Sequence, residues 1–207
     1  GHHYNQYLWK NGLSYSSLDR SIFPTSGQDA SLNTDIALPI GKSAEFFTVS
    51  TNWAYFQTLF DFGHQHLVVI NPKLQLSYGQ GYGSAGSTLP FFRSFSAGGL
   101  GTVRGFSAQS LGPRDSLGNA MGGNVLTVAN VNLVVPNPWE DKIRVSLFVD
   151  GGNVFDNRWS TSDIRYTSGI SFQSIVPIPL TFALAWPLNA KPGDDKRPFD
   201  FTIGTSF

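Results

Sequence analysis

Apolar and polar residues alternate with a period of two along almost the whole chain. Leu32, Thr34, Ile36, Leu38 and Ile40 occupy the even positions of one stretch, with Asn33 and Asp35 between them. Phe47, Val49, Trp53, Tyr55 and Leu59 alternate with Thr48, Ser50, Asn52 and Thr58. The same rhythm sets Val68, Ile70, Leu74, Leu76 and Tyr78 against Asn71, Lys73, Gln75 and Ser77. Further along, Val125, Val131, Leu133 and Val135 oppose Asn130 and Asn132, and Val145, Leu147 and Val149 oppose Arg144, Ser146 and Asp150. Three more stretches follow, around Ile170–Val176, Leu180–Trp186 and Phe199–Phe207. Period two is the mark of strands with one apolar and one polar face. With a first strand around Tyr7–Leu18, the pattern predicts about nine strands and no helix.

Most of these stretches exceed the five or six residues usual in soluble sheets and are long enough to cross a bilayer when tilted. Short turns at Ser26-Gly27, Asp61-Phe62-Gly63, Pro136-Asn137-Pro138 and Pro177-Ile178-Pro179 alternate with longer connections at 79–123, 156–163 and 189–197. That asymmetry belongs to outer-membrane barrels, whose turns are short on one rim and long on the other. Trp53, Tyr55, Trp139, Trp159 and Trp186 are expected toward strand ends, as interfacial girdles. The fold class predicted is therefore all-β, a transmembrane antiparallel β-barrel. A soluble β-sandwich of the carbohydrate-binding kind also alternates, but it would bury its apolar faces against each other and use shorter strands.

Composition narrows the choice. Only 14% of the 207 residues are charged, against about a quarter in ordinary soluble domains, and Lys+Arg 14 balances Asp+Glu 14. No basic stripe points to nucleic acid. No apolar run approaches the roughly 20 residues of a spanning helix, whereas a barrel strand presents only every second residue to lipid. There is no cysteine, which removes disulfides and thiolate metal sites. Gly1-His2-His3 reads as a tag remnant and is set apart from residues 4–207. An odd strand count implies a piece of a larger barrel, because intact bacterial barrels have even counts.

One charge stands out. Arg104 lies in a Gly-rich connection of about 45 residues, longer than a structureless loop normally runs. Such a segment is either outside and disordered or folded into something. If it enters the lumen, its guanidinium needs acceptors, and Asp150 falls on the inward face of its strand. An arginine–carboxylate pair there would be strong and geometrically fixed. An arginine exposed on an outer loop remains equally open at this point.

The segment Ser96-Ala97-Gly98-Gly99-Leu100-Gly101-Thr102-Val103-Arg104-Gly105-Phe106 resembles the loop-six signature of the BamA family of outer-membrane insertases. The resemblance continues in Leu18-Asp19-Arg20, Phe23-Pro24-Thr25-Ser26-Gly27, Gly122-Gly123-Asn124, Phe148-Val149-Asp150-Gly151-Gly152-Asn153-Val154 and the closing Gly204-Thr205-Ser206-Phe207. It implies the C-terminal part of the barrel, about eight or nine strands, without the N-terminal POTRA repeats and first strands. It also implies that Arg104, carried by Val103, Gly105 and Phe106, folds into the lumen as a structural latch on Asp150. Many members add a glutamate on the preceding strand, where this chain has Asn132, which offers only a neutral hydrogen bond. The loop after Pro113 is shorter than in longer family versions. Phe201, Ile203 and Phe207 resemble the terminal signal read by assembly machinery, and also suit a lipid-facing strand.

The function implied is help in folding and inserting other barrel proteins into the bacterial outer membrane, without a catalytic residue, cofactor or metal. The implied partners are outer-membrane lipid, nascent β-barrel proteins and accessory lipoproteins recruited through POTRA repeats. Open sheet edges add edge-to-edge pairing with a second copy. A protein-secretion pore of the same superfamily is the competing function. Other motifs carry less. Asp150 through Asp156 lacks the ligand spacing of a calcium loop, His64 and His66 lack further ligands, and no nucleophile elbow supports hydrolysis. Asp19 and Arg20 are expected to fix a turn.

Overall fold

The computed structural model describes residues 6–41, 43–63, 66–83, 86, 88–139 and 142–204. The tag-like residues 1–3, His64 and Phe207 lie outside the described residues. The strands are β1 (Leu8–Ser16), β2 (Gly27–Ala37), β3 (Phe46–Asp61), β4 (Leu67–Gly81), β5 (Gly105–Phe106), β6 (Val125–Val135), β7 (Ile143–Phe155), β8 (Arg165–Ser174), β9 (Leu180–Pro187), β10 (Lys196–Arg197) and β11 (Phe199–Ile203). Nine of them form one antiparallel sheet in the order β1-β2-β3-β4-β6-β7-β8-β9-β11, and β5 pairs only with β10. The nine long stretches expected from alternation are the nine strands of this sheet. Among the described residues its edges, β1 and β11, are not joined to each other.

The register keeps one parity on each face. Asp29, Ala54, Lys73, Asn130, Asp150 and Thr167 follow one another across β2, β3, β4, β6, β7 and β8 as directly opposed residues. Their face carries the buried polar side chains Asn71, Ser77, Ser146, Asp150, Thr167 and Ser171. The opposite face carries Leu13, Leu32, Leu74, Leu76, Val131, Leu147, Val149, Ile170 and Leu184, all exposed. In water each such side chain would forgo about 1.5–3 kcal/mol of burial. A sheet with its core on the polar side and a continuous apolar exterior suits lipid, not a sandwich, which would have covered that exterior. A one-residue slip would invert every strand, so this contrast fixes the register.

A row of aromatic rings runs across β8, β9 and β11. Phe172 stacks on Phe182 at 4.8 Å, and Phe182 meets Phe199 at 6.2 Å. Trp53 is not at a strand end. It lies midway along β3, which runs on to Asp61 although its last partner on β2 is Gly27, opposite Phe56. Trp186 is where the pattern placed it, next to the last residue of β9.

The turn between β1 and β2 is built on Asp19. Its carboxylate accepts the Thr25 hydroxyl at 2.7 Å, the Thr25 amide at 2.9 Å and the Ser26 amide at 3.1 Å, and Arg20 Nε lies 3.4 Å away. The turn tucks the buried Phe23 ring under the sheet, where the Arg144 guanidinium stacks 4.8 Å from it. Arg144 also donates to the Pro24 carbonyl at 2.7 Å, a contact between residues 120 positions apart. Partial burial alone would push the Asp19 carboxyl up. The Thr25, Ser26 and Arg20 hydrogen bonds outweigh it and lower the pKa from 3.8 to about 2. The sign follows from linkage: a depressed folded value gives stability that is present above pH 4 and lost as pH falls toward 2. Asp19→Asn is expected to destabilise the chain at pH 7 by about 1 kcal/mol, a value discounted for solvent screening. In detergent unfolding curves that difference should vanish between about pH 4 and pH 2; a difference independent of pH would contradict the assignment.

Candidate functional site: the lumenal latch

The long connection between β4 and β6 folds back over the polar face. A 3-10 turn, Phe91–Arg93, brings Arg93 onto Asp35 of β2 and over the Phe46 ring at 5.1 Å. Phe95 then bridges Gly123, and Ala97 bridges Leu111, which closes the segment into a narrow inner hairpin. At its tip the Gly98 amide donates to the Thr102 hydroxyl at 2.8 Å and the Thr102 amide donates to the Gly99 carbonyl at 3.2 Å. Asn130 of β6 holds this tip by donating to the Thr102 carbonyl at 2.7 Å. The tip therefore presents residues 103–106 to the sheet in one orientation.

Val103 and Phe106 are fully buried with Ala97, Leu111, Leu126, Val128 and Val154. Burying two side chains of this size contributes about 1.5–3 kcal/mol each and seats the loop against β6 and β7. Gly105 takes a φ of +90°, and a side chain there would meet Ala185 of β9. Only glycine occupies such a position without strain, so the turn after Arg104 can lie flat on the wall.

Arg104 and Asp150 are brought together. Asp150 is 0% exposed and Arg104 is 9% exposed. The guanidinium makes a two-point contact, Nε to Oδ2 at 2.8 Å and Nη2 to Oδ1 at 2.6 Å, while the Arg104 amide also donates to Oδ2 at 3.0 Å. Nη2 donates in addition to Asn132 Oδ1 at 2.9 Å. The guanidinium carbon lies 3.5 Å from the centre of the Phe148 ring. Phe148 can occupy that place because Gly169 stands beneath it: a Cβ on Gly169 would fall 2.6 Å from the ring. Asn132 thus accepts one neutral hydrogen bond, and among the described residues Asp150 is the carboxylate paired with Arg104.

Three partners of this site carry weaker sequence signals. Phe148 shares the parity of Arg144, Ser146 and Asp150, so its inward direction was readable, but an aromatic ring on a polar face looks like an exception. Leu126 and Val128 make the start of β6 apolar on both faces, the pattern of a strand covered on both sides. The pairing of β5 with β10 has no local signal, since two-residue strands show no periodicity. Phe201 and Ile203 lie on the exposed apolar face of β11, opposite Phe182 and Leu180. They are distant in the sheet order from the β6–β7 wall that holds Arg104.

A second, separate ion pair supports the rim. Arg165 at the start of β8 donates to Asp194 through Nε at 2.6 Å and Nη2 at 3.2 Å, and to the Asp163 carbonyl at 2.8 Å. Burial pushes the Asp194 carboxyl up, but the Arg165 bond and the Lys191 amide outweigh it and hold it below its ordinary value. No group of three or more histidines, aspartates or glutamates converges among the described residues. The arrangement holds the loop in one place.

Removing one member of a buried pair leaves the other charge without compensation, at a cost of about 3–5 kcal/mol. Asp150→Asn is expected to lower stability by about 3 kcal/mol or less, because the amide retains some of the hydrogen bonds. It should also raise protease cleavage between Gly79 and Gly123. Unchanged cleavage would count against the latch.

Comparison with known proteins agrees with this fold. The profile of the Omp85 superfamily domain matches residues 1–207. The chain is 28% identical over 230 residues to the outer membrane protein assembly factor BamA of Neisseria meningitidis serogroup B, covering 95% of this chain and 28% of that protein. The crystal structure of BamA from Haemophilus ducreyi lacking POTRA domains 1-3 superposes with a TM-score of 0.82 at 29% identity, over 93% of this chain and 41% of that one. The chain thus spans well under half the length of these relatives. Lipid-facing strands, the lumenal arginine loop and a match over all 207 residues lead to one conclusion: the chain belongs to the Omp85 superfamily of the bacterial outer membrane.

Proposed function

We propose that this chain is the barrel part of an outer-membrane insertase, which offers the edge strand β11 to strands of nascent β-barrel proteins. The observation that carries this reading is that, among the described residues, β11 (Phe199–Ile203) pairs on one side only, with β9. Its outer face, Phe199, Phe201 and Ile203, is exposed. In hydrocarbon an unpaired backbone edge costs several kcal/mol per group. A strand that pairs with it removes that cost, and an incoming strand with an alternating pattern does so by β-augmentation. A short edge also holds its partner weakly, so the partner can later leave. Likeness to two BamA proteins supports the same reading.

In this role Arg104 acts as a latch on Asp150 and not as a catalyst. It keeps the loop inside, where it fills the polar lumen and stiffens the β6–β7 wall. The proposed partners are outer-membrane lipid on the apolar face, client strands at β11, and accessory lipoproteins that reach longer relatives through POTRA repeats. A second copy of the chain is the competing occupant of the edge.

The test is reconstitution of the chain into lipid vesicles, followed by the folding rate of a urea-unfolded small outer-membrane barrel. Folding should be several-fold faster than in empty vesicles, and client cysteines should cross-link to Thr202→Cys on β11. A rate equal to that of empty vesicles, with the chain itself folded, would overturn the proposal. Conductance that rises in Arg104→Ala while client folding stays at the empty-vesicle rate would transfer the chain to the secretion-pore reading.

A further inference from the structure

The connection between β9 and β11 does more than reverse the chain. Its residues Lys196 and Arg197 are β10, antiparallel to β5, with Lys196 opposite Phe106 and Arg197 opposite Gly105. The Ser107 amide extends this pairing by donating to the Asp195 carbonyl at 3.0 Å. The residue that follows the latch arginine is thus paired with a segment that lies one residue, Pro198, from β11. The same connection is fixed to the wall behind it by the Arg165–Asp194 pair at 2.6 Å and by Lys191–Asp163 at 2.7 Å.

Chain geometry makes this arrangement consequential. Pro198 is the only residue between β10 and β11, its φ is locked, and one residue spans about 3.8 Å. The Pro198 carbonyl is itself committed, accepting the Ala185 amide of β9 at 2.7 Å. The link leaves little slack for Phe199, the first residue of β11, to move away from β9 while β10 stays on β5. In the other direction, a loop that left the wall on release of Arg104 would carry β5 with it and leave β10 without its pairing partner. A five-residue strand at the sheet edge belongs to the low-stability end of the fold, where such an added tie changes opening most.

We infer that β10 is a clasp that couples the lumenal latch to the edge strand, so that opening at β11 favours loop release and loop release favours opening at β11. Such coupling is reciprocal by thermodynamic necessity. Arg165 and Asp194 act as positioning residues, since they hold β10 where β5 meets it. The biological consequence rests on the insertase reading above: a client strand at β11 would be registered at Arg104. The coupling itself is read by amide exchange and cleavage, without any client, so it fails separately from that reading.

The chain has no cysteine, so Ser107→Cys with Asp195→Cys gives one possible cross-link, between the residues that flank the clasp. In detergent, the oxidised pair should slow protease cleavage within 82–124 and also slow amide exchange across Phe199–Ile203, by about fivefold or more, with reduction reversing both. Asp150→Asn should speed exchange in β11, and Asp194→Asn should speed cleavage of the latch loop, although neither residue lies in the segment that responds. Asp19→Asn, in the opposite turn, should do neither and so controls for general loosening. A cross-link that protects the loop and leaves β11 exchange unchanged would overturn the inference, as would failure of the cysteines to join. Should Asp194→Asn not fold, the reversible cross-link decides the matter alone.

Discussion

A guanidinium inside a sheet-lined lumen must recover the hydration it gives up, and Arg104 does so almost entirely through Asp150. The pair is buried, two-pronged and reinforced by the arginine's own amide. Its energetics are asymmetric. Against a well-packed apolar pair such an ion pair contributes little net stability, whereas losing one member costs several kcal/mol. That asymmetry favours a device that specifies one position strongly without adding much to the total. The rest of the loop serves the same end: Val103 and Phe106 seat it, Asn130 holds its tip, and Phe148 offers a ring face to the cation.

The sheet supplies the conditions under which this pair matters. Its apolar residues face outward and its polar residues face the loop, the reverse of a soluble domain. The interior is therefore where charge has to be resolved, and the exterior is settled by lipid. The same medium penalises any unpaired edge, and among the described residues β1 and β11 each pair on one side only. The loop that carries Arg104 and the edge strand are joined through β10, which meets Gly105 and Phe106 on one side and leads into β11 on the other. Structure at the rim and charge in the lumen are thus parts of one system.

Much of this was legible from residue order, because strands in a membrane sheet are read by parity. Asn132 and Asp150 fall on the inward face by counting in twos, and the same count assigns Lys73 and Arg144 to it. The glycines before Arg104 marked a loop that must turn tightly. Features that depend on distant segments were not legible. Phe148 breaks the polar rule of its face for the sake of the cation above it, and Leu126 and Val128 become core only because the loop covers them. Arg93 and Asp35 pair across 58 positions without a local signal. The β5–β10 clasp consists of two residues on each side, too few for any period to register. Trp53 stands midway along its strand since β3 outruns its neighbour β2.

Arg104 and Asp150 are held together as a single unit. A double-mutant cycle of Arg104→Met and Asp150→Asn, measured as unfolding free energy in detergent, addresses it directly. The expected outcome is that the double variant loses no more stability than the worse single one, with a coupling of about 2 kcal/mol or more. Losses that simply add would mean that the two side chains act independently, and the latch would have to be abandoned.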